Sequence, residues 1–361
     1  MSTDLLLQLA GGLVLLLVAQ DVFFTVLFPA SGRGLIRKPV SAALWHLFRL
    51  LGRMTGGRRR RNVLSYGGPV IIAATMAVWF LLLAVGWAMI YKPALGTAIV
   101  STSGLTDRSW STALYYSGFA LTTLGMGDVV ARAGPYRLLT VVESALGFAT
   151  FSMVITYFLS VYSSLTSRNA FAQALHQRTG NTDDAAELVA RLADGGDLPQ
   201  AREQMRSTAD FLRSIYQTHR FYPVLQYFHY RDSFYALPRI LLTSLDEATL
   251  LRTALDDSRY SRLVTSPEMD GLFDSALTLA HELVPGVEAR DPSAAEALAW
   301  RERYAAALTR LAEVGLQVPS DPGAGADAYV AMRSEWDHPL HALAESMLYE
   351  WTDIEATGEP P

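Results

Sequence analysis

The residues best placed to do chemistry are Thr122-Thr123-Leu124-Gly125-Met126-Gly127, with Asp128 directly after them. They close an uncharged stretch of 19 residues, Ser109 to Gly127, that is rich in Ser, Thr and Gly. Two glycines separated by one residue weaken the end of a helix, so the stretch predicts a short helix followed by an extended return. Such backbone is tolerated at membrane depth only where protein buries it or where it lines a water-filled path. Alternating glycines let carbonyl oxygens point to one side, and a ring of carbonyls can replace the hydration shell of a cation.

The same segment resembles the pore loop of tetrameric potassium channels. Ala113-Leu114-Tyr115-Tyr116-Ser117 is similar to the aromatic pore helix of that family. Thr123 to Asp128 is similar to its filter, which usually reads Thr-Val-Gly-Tyr/Phe-Gly-Asp. The resemblance covers roughly residues 65–167 and implies a homotetramer with potassium as the permeant ion and no cofactor. The alternative is a Gly/Thr-rich turn between two ordinary spans.

The resemblance also implies roles for individual residues. Met126 stands where the family has an aromatic ring, and methionine is flexible and offers no donor, so a weakly selective or divergent pore is the alternative to strict potassium selectivity. The predicted roles are the filter (Thr123, Leu124, Gly125, Met126, Gly127), the outer mouth (Asp128), the pore helix (Tyr115, Tyr116, Phe119), the inner-helix hinge (Gly147) and the cavity lining (Phe148, Phe151, Ile155, Leu159).

The charge distribution divides the chain into two parts. Residues 1–167 carry 13 Lys/Arg against five Asp/Glu, whereas residues 168–361 carry 17 against 30. This asymmetry predicts a membrane part followed by an acidic soluble domain, and the acidic balance argues against a nucleic-acid partner. The chain has no cysteine, which excludes disulfide and thiolate chemistry.

Hydropathy predicts three spans, Leu5–Phe28, Val70–Tyr91 and Arg137–Thr166, each long enough to cross a bilayer. The start of the chain lacks the basic region of a signal peptide, so Leu5–Pro29 is interpreted as a retained span. The predicted fold is an all-α membrane protein with three transmembrane helices per subunit, a re-entrant pore helix and an all-α cytoplasmic domain. The predicted domains are a peripheral span (1–30), a basic loop (31–68), the pore module (69–167) and the acidic helical domain (168–361).

Basic residues set the predicted orientation. Residues 30–68 contain nine Lys/Arg and no acid, which predicts a cytoplasmic loop, an outside N-terminus, a pore loop entering from outside and a cytoplasmic C-terminal domain in the cell (inner) membrane. In a four-span alternative, Ser109–Gly127 crosses completely and the acidic domain lies outside.

Two features of the basic loop leave alternatives open. Val40–Leu51 has apolar residues at helical spacing, which fits an interfacial helix and a packed connector equally well. The run Arg58, Arg59, Arg60 and Arg61 can attract anionic lipid, although its role in setting topology explains most of it.

The C-terminal part is predicted to be helical throughout, because apolar residues recur at i, i+3 and i+4. Ser266-Pro267 and Asp291-Pro292 are interpreted as N-cap and first helical residue, and the tail Thr357–Pro361 is predicted to be disordered. The predicted helices are Asp183–Leu192, Leu198–His219, Ala236–Ser258, Pro267–Leu283, Pro292–Val314 and Asp327–Trp351, with a loop at Pro319–Gly325.

Four ionisable side chains have competing interpretations. Asp21, inside the first span, is expected to make structural contacts, and Glu143 is expected to support the pore helix from behind. His338 and His341 flank Pro339 near Asp337, but a packed or solvated pair is expected rather than a metal site. No catalytic or nucleotide-binding motif is present, so an enzyme is the least expected class. A non-conducting membrane sensor is the rival class, and the sequence identifies no gating ligand.

Overall fold

The computed structural model describes residues 3–28 and 34–355. Within them, helices dominate, and three helical segments are long and apolar enough to cross a membrane: Thr3–Leu27, Gly57–Ala94 and Gly134–Arg178. The chain is therefore an all-α membrane protein, as predicted. Pro29, at the end of the segment interpreted as a retained span, and the predicted tail Thr357–Pro361 lie outside the described residues.

The chain forms two compact units. The first takes its described residues from Met1–Leu50, Gly67–Ser163 and Arg220–Leu225, and the second from Leu51–Tyr66, Ser164–His219 and Gln226–Pro361. The elements up to the end of the long inner helix are α1 (Thr3–Val22) with a π-helical continuation (Phe23–Leu27), α2 (Arg37–Arg53), α3 (Gly57–Ser65), α4 (Gly67–Tyr91), β1 (Ile99–Ser101), α5 (Trp110–Leu121), β2 (Val129–Ala131) and α6 (Gly134–Arg178).

The elements after α6 all belong to the helical C-terminal part. They are α7 (Ala185–Arg191), α8 (Ala201–Phe221), α9 (Leu237–Thr253), α10 (Asp257–Val264), α11 (Pro267–Leu283), α12 (Ala294–Glu313), α13 (Pro322–Ser334), α14 (Asp337–Ser346) and α15 (Trp351–Ile354). Short 3₁₀ turns occur at Lys92–Ala94, Pro223–Tyr227 and Ser233–Tyr235.

Small residues let α1 and α4 pack closely in the first unit. A Cβ added at Gly11 would lie 2.5 Å from the carbonyl oxygen of Gly86, and one at Gly86 would lie 2.8 Å from Leu15 Cδ2. Membrane helices associate through such close backbone approach, because lipid supplies little hydrophobic driving force between them. The first span is therefore fixed against α4 by its glycines.

A small sheet, which the sequence did not predict, lies on both sides of the predicted pore loop. Strands β1 and β2 pair antiparallel with Ile99 opposite Ala131 and Ser101 opposite Val129. One strand precedes α5 and the other follows Asp128, so the ladder holds both ends of the pore loop together. Strands this short carry no clear alternating pattern, which explains why hydropathy missed them.

The core of the second unit is built around α9. Every residue of α9 except Arg252 is buried, and the helix packs against α7, α11, α13 and α14. A helix that is buried all round belongs to the centre of a bundle. The prediction of an all-helical C-terminal part is confirmed.

Several predicted helix boundaries are wrong, and capping side chains explain two of them. The predicted helix Ala236–Ser258 ends at Thr253, because the Asp256 carboxylate accepts the N–H groups of Ser258 and Arg259 and starts α10. The predicted cap Asp291-Pro292 is replaced by a capping box in which Ser293 and Glu296 bind each other's backbone N–H.

The last predicted helix and the basic run also differ from the structure. Asp327–Trp351 is divided among α13, α14 and α15, and Leu348 adopts a left-handed φ of 64° in the last connection. The predicted loop Pro319–Gly325 already contains the start of α13, capped by Asp321. The run Arg58–Arg61, predicted only as part of the basic loop between two spans, lies within α3.

Candidate functional site

The predicted pore loop begins with a short, capped helix. The Ser109 hydroxyl accepts the Thr112 N–H at 3.2 Å, and the hydroxyl of Thr112 donates to Asp107 at 2.8 Å. The Ser109 hydroxyl also donates to the Asp107 carboxylate at 2.5 Å, and the hydrogen bonds from Ser109 and then from Thr112 lower the pKa of Asp107. The helix that follows, α5, has 12 residues and is roughly 18 Å long, too short for the ~30 Å hydrocarbon layer. The four-span alternative therefore lacks a fourth spanning helix among the described residues.

The backbone after α5 alternates in handedness. Thr123, Gly125 and Gly127 have positive φ values of 60°, 59° and 78°, whereas Leu124 and Met126 do not. In an ordinary extended strand successive carbonyls point to opposite sides, and left-handed residues at every second position cancel that alternation. Glycine adopts this conformation freely, but at Thr123 it is strained and must be held by the surroundings. The predicted filter thus has a backbone that can direct successive carbonyls to one side.

The side chains of the predicted filter point away from the rest of this chain. Leu124 is 70% exposed and Met126 is 61% exposed. Among the described residues, Met126 therefore lacks the packing that the resemblance assigns to the aromatic ring at its position.

Asp128 is fixed at the end of the loop by three neighbours. Its carboxylate accepts the Tyr115 hydroxyl at 3.0 Å and the Val129 N–H at 3.0 Å. Its carbonyl accepts the Thr102 N–H at 2.8 Å. The predicted mouth residue is thereby bound to α5 on one side and to the segment after β1 on the other.

Polar side chains fasten α5 to α6 behind the loop. Tyr116 and Thr140 share a hydrogen bond of 2.7 Å between their hydroxyls, and Ser117 donates to the Glu143 carboxylate at 2.6 Å. Ser144 donates to the carbonyl of Ala120 at 2.9 Å. Glu143 is fully buried, and its contact agrees with the predicted support of the pore helix. The sequence did not single out Thr140 and Ser144, which present no motif.

Gly147 is a position of close approach. A Cβ there would lie 2.0 Å from the carbonyl oxygen of Leu121, at the end of α5. The helix α6 continues through this residue to Arg178. The structure therefore gives Gly147 a packing role, and its role as a hinge stays a prediction.

The predicted cavity residues lie exposed on α6. The exposed fractions are 68% at Phe148, 54% at Phe151, 44% at Ile155 and 62% at Leu159. Ser152 and Thr156 are also exposed on this helix, and each hydroxyl donates to the carbonyl four residues earlier. Of the predicted pore-helix residues, Tyr116 and Phe119 are buried whereas Tyr115 is partly exposed.

Asp21 makes the structural contacts expected of it. Its carboxylate accepts the N–H groups of Ile36 at 2.8 Å and Arg37 at 3.2 Å, and the indole N–H of Trp79 at 2.7 Å. This buried carboxylate therefore joins α1, α2 and α4.

Two of the four arginines in the basic run have protein partners. Arg60 pairs with Glu350 at 2.7 Å and donates to the Leu348 carbonyl, and Arg61 pairs with Asp353 at 3.5 Å. Arg58 and Arg59 are exposed. Arg58 and Arg59 are therefore the two arginines of the run to which the anionic-lipid interpretation still applies.

The histidine pair contacts protein groups. His338 Nδ1 lies 2.8 Å from the carbonyl oxygen of Glu288, and His341 stacks on Trp351 at 3.5 Å. Asp337 lies in an ion pair with Arg333. Among the described residues, no group of three His, Asp or Glu side chains could hold a metal ion.

Comparison with known proteins finds a channel family that matches part of the chain and a membrane protein that is similar to it. Residues 73–164 match the family described as "Ion channel". The chain is also 30% identical over 221 residues to an uncharacterized membrane protein YdjJ of Bacillus subtilis (strain 168), covering 61% of this chain and 62% of that relative. More than half of these aligned residues lie outside 73–164. No solved structure matches the chain.

Proposed function

We propose that the chain forms a homotetrameric channel that passes potassium passively through the carbonyl groups of Thr123–Gly127. The observation that carries this proposal is the alternation of positive φ at Thr123, Gly125 and Gly127. The family match at residues 73–164 supports ion conduction in general. A ring of aligned carbonyls replaces the water around a cation without any cofactor.

We infer the fourfold assembly from the resemblance to tetrameric channels, since one loop cannot encircle an ion. Phe148, Phe151, Ile155 and Leu159 form an apolar stripe on α6 that this chain leaves exposed. Four such stripes around one axis would line the cavity below the filter, and apolar constrictions can close a pore by dewetting. Gly147 supports the assembly by bringing the end of α5 against α6.

The orientation is proposed from charge. The basic segment 30–68 would face the cytoplasm of a cell (inner) membrane, so the N-terminus and the pore loop would face outward. Exposed Arg58 and Arg59 would lie near anionic lipid there. The acidic helical part would then be cytoplasmic.

The continuity of α6 supports control of pore opening by the C-terminal part. The helix α6 runs without interruption from Gly134 to Arg178, past the predicted domain boundary at residue 167. A continuous helix transmits force that a flexible linker would dissipate. Inserting three glycines after Ser167 should change open probability in single-channel recordings while leaving ion selectivity intact. An unchanged open probability would indicate a role in assembly only.

Flux measurements on the purified protein in liposomes test the main proposal. Parent protein should release trapped potassium much faster than empty liposomes. Gly125→Ala should abolish the flux, because alanine is strained at a φ of 59°. Gly12→Ala is the matched control, since a Cβ at Gly12 meets open space. Absence of flux from correctly assembled parent protein would favour the non-conducting sensor.

A weakly selective pore is the second candidate, because the Met126 side chain is 61% exposed and lacks packing in its own chain. Met126→Tyr should then raise the potassium-to-sodium permeability ratio, measured as a reversal potential, by stiffening the filter. A parent that is already strictly selective would remove this candidate.

A further inference from the structure

The helix α2 divides its surface into three sectors. Because successive residues turn by about 100° around a helix axis, residues three or four positions apart share a sector. One sector is buried in the protein, one carries basic side chains that are exposed or half-buried, and one carries exposed apolar side chains. In that order, the sectors contain Arg37, Ser41, Trp45 and Phe48; Lys38, His46, Arg49 and Arg53; and Pro39, Ala43, Leu47 and Leu50.

The buried sector fixes the start of α2 at the level of Asp21. The Asp21 carboxylate accepts the N–H groups of Ile36 and Arg37, which begin α2, and the indole N–H of Trp79 on α4. Asp21 lies seven residues before Phe28, where the predicted first span ends, which is roughly 10 Å along the helix. The first turn of α2 therefore lies beside the spans rather than beyond their ends.

The next buried position of α2 also packs on a span. Ser41 and Arg37 line a small recess together with Ile71 and Trp79 of α4. Both α4 residues belong to the predicted second span, Val70–Tyr91. Because α4 covers only the buried sector of α2, the other two sectors of this turn would face the bilayer.

The apolar sector is left exposed by its own chain. Leu47 is 47% exposed and Leu50 is 43% exposed, with exposed Ala43 beside them. Water around such side chains is unfavourable, whereas the boundary between headgroups and acyl chains accommodates them. Helices with one apolar and one basic face lie at that boundary, their apolar face about 5–10 Å deep.

The basic sector complements an anionic surface. Lys38 and Arg53 are exposed, and the Nε atom of Arg49 has no hydrogen-bond partner among the described residues. The surrounding segment 30–68 contains nine Lys/Arg and no acid, so no neighbour in sequence neutralises these charges. Basic clusters next to a span attract anionic lipid, and long basic side chains can extend from a buried backbone to the headgroups.

We propose that α2 lies at the headgroup boundary of an anionic leaflet, with its apolar sector against acyl chains and with Lys38, Arg49 and Arg53 against lipid phosphates. The partner is a lipid surface rather than a second copy of the chain. Tyr157 lines the same recess as Arg37 and lies two residues beyond Ile155, hence on the opposite side of α6 from the exposed stripe. In the proposed tetramer, that side of α6 faces away from the axis. This choice of partner rests on the proposed assembly, whereas insertion of α2 requires no ion conduction.

Spin labelling of the full chain in liposomes tests the insertion, because a chain without cysteine accepts one label at a chosen position. Leu47→Cys places the label on the apolar sector. Leu298→Cys is the matched control, since it replaces a leucine that is 59% exposed on α12 of the second unit. The ratio of collisions with lipid-soluble oxygen to collisions with a water-soluble nickel chelate should be several-fold higher at position 47 than at position 298.

Thermal unfolding in phosphatidylcholine nanodiscs, with and without phosphatidylglycerol, tests the charge contact, since a bound ligand raises the midpoint. Phosphatidylglycerol should raise the midpoint of the parent protein. Arg53→Gln should reduce that rise by about a third, because three cations share the contact. Arg262→Gln is the matched control: it removes the same charge from an exposed position on α10.

The outcomes separate the possible surroundings of α2. Equal collision ratios at positions 47 and 298 would overturn the insertion in favour of a water-exposed connector. Low collision rates with both reagents, together with spin–spin broadening, would overturn it in favour of contact with a second copy. An unchanged midpoint on adding phosphatidylglycerol, or equal effects of Arg53→Gln and Arg262→Gln, would overturn the anionic contact.

Two further results keep the test decisive. If Leu47→Cys does not fold, Leu50→Cys carries the comparison, since Leu50 lies exposed on the same sector. Insertion of α2 without any ion flux would support the lipid contact and overturn the channel alone.

Discussion

The two units of this protein differ in how far they cover their own apolar side chains. In the first unit, Phe148 and Leu159 are more than 60% exposed and the filter side chains contact little of their own chain. In the second, Leu298 is the exposed large hydrophobic residue within residues 164–219 and 226–355, and the segment 51–66 adds Leu51, Met54 and Tyr66. The helical residues of the second unit thus bury most of their apolar side chains, whereas the first unit exposes an apolar surface that lipid, and further copies of the chain in the proposed tetramer, would cover.

The two units also differ in the partners of their buried charged side chains. In the first unit, the Glu143 carboxylate accepts one hydrogen bond, from Ser117, and the Asp21 carboxylate accepts three N–H groups, and neither lies within 4.0 Å of a cationic side chain among the described residues. In the second, Asp246 binds Arg303 at 2.9 Å and the Tyr329 hydroxyl at 2.6 Å, and Arg333 bridges Tyr329 to Asp337. Such a network is stable only as a whole, because removing one member leaves other charges buried and unpaired.

The largest expected effect comes from breaking that network. Arg333→Leu should destabilise the second unit by about 3–5 kcal/mol, because Asp337 would stay buried without its partner. The exposed pair Arg301–Asp327 offers the control: Arg301→Leu should cost about 1 kcal/mol or less. Denaturant unfolding of the full chain, with hydrogen exchange assigned to α13 and α14, measures both. Equal costs would show that the network contributes no more than a surface ion pair.

A second expected effect is a pH dependence confined to α9. Burial raises the pKa of Glu247 from 4.5 to about 8, and Arg178 opposes that rise only in part. Because the folded pKa exceeds the unfolded one, the contribution of Glu247 to stability is greatest below about pH 4.5 and is lost as the pH rises towards about 8.

Glu247→Gln should remove this loss, which is on the order of a few kcal/mol. Hydrogen exchange of peptides from α9 at pH 6 and pH 9 measures it, each variant being compared with the parent at the same pH. The exposed Glu302→Gln is the control. A parent and a Glu247→Gln variant with the same pH dependence would contradict the prediction.

The first unit should be most sensitive to substitution of Gly147, where α6 lies close to the end of α5. Gly147→Ala should cost about 1–3 kcal/mol and reduce the assembled fraction, because the new Cβ would meet the Leu121 carbonyl oxygen at 2.0 Å. Gly12→Ala should leave assembly unchanged, since its surroundings are open. Light scattering coupled to size-exclusion chromatography, with the thermal midpoint, measures both. If the two variants behave alike, Gly147 is not a packing constraint.

The smallest expected effect is at an exposed helix cap of the second unit. Ser293→Ala should cost about 1 kcal/mol, because the Ser293 hydroxyl accepts the Glu296 N–H at 3.3 Å in the capping box. Ser334→Ala, whose hydroxyl binds its own helix, is the control and should change little. Faster exchange limited to the first turn of α12 would agree with the prediction. A cost comparable to that of Arg333→Leu would contradict the idea that buried charge dominates this unit.

Local sequence signals account for most of the helices that could be predicted. The three spans, the short helix at Ser109 and the helix Pro267–Leu283 follow from hydropathy, capping and proline placement, which depend on nearby residues alone. The breaks at Asp256 and Leu348 could not be seen in this way, because apolar periodicity continues across them while caps and tertiary contacts end the helices.

The sequence by itself determined the elements and the identity of the predicted filter, since glycine spacing and uncharged length are properties of the string. Only the tertiary structure decided which residues are in contact: Gly147 with Leu121, Ser117 with Glu143, and Arg60 with Glu350. These contacts join residues far apart in the chain, and their geometry is fixed by how helices pack rather than by any local preference.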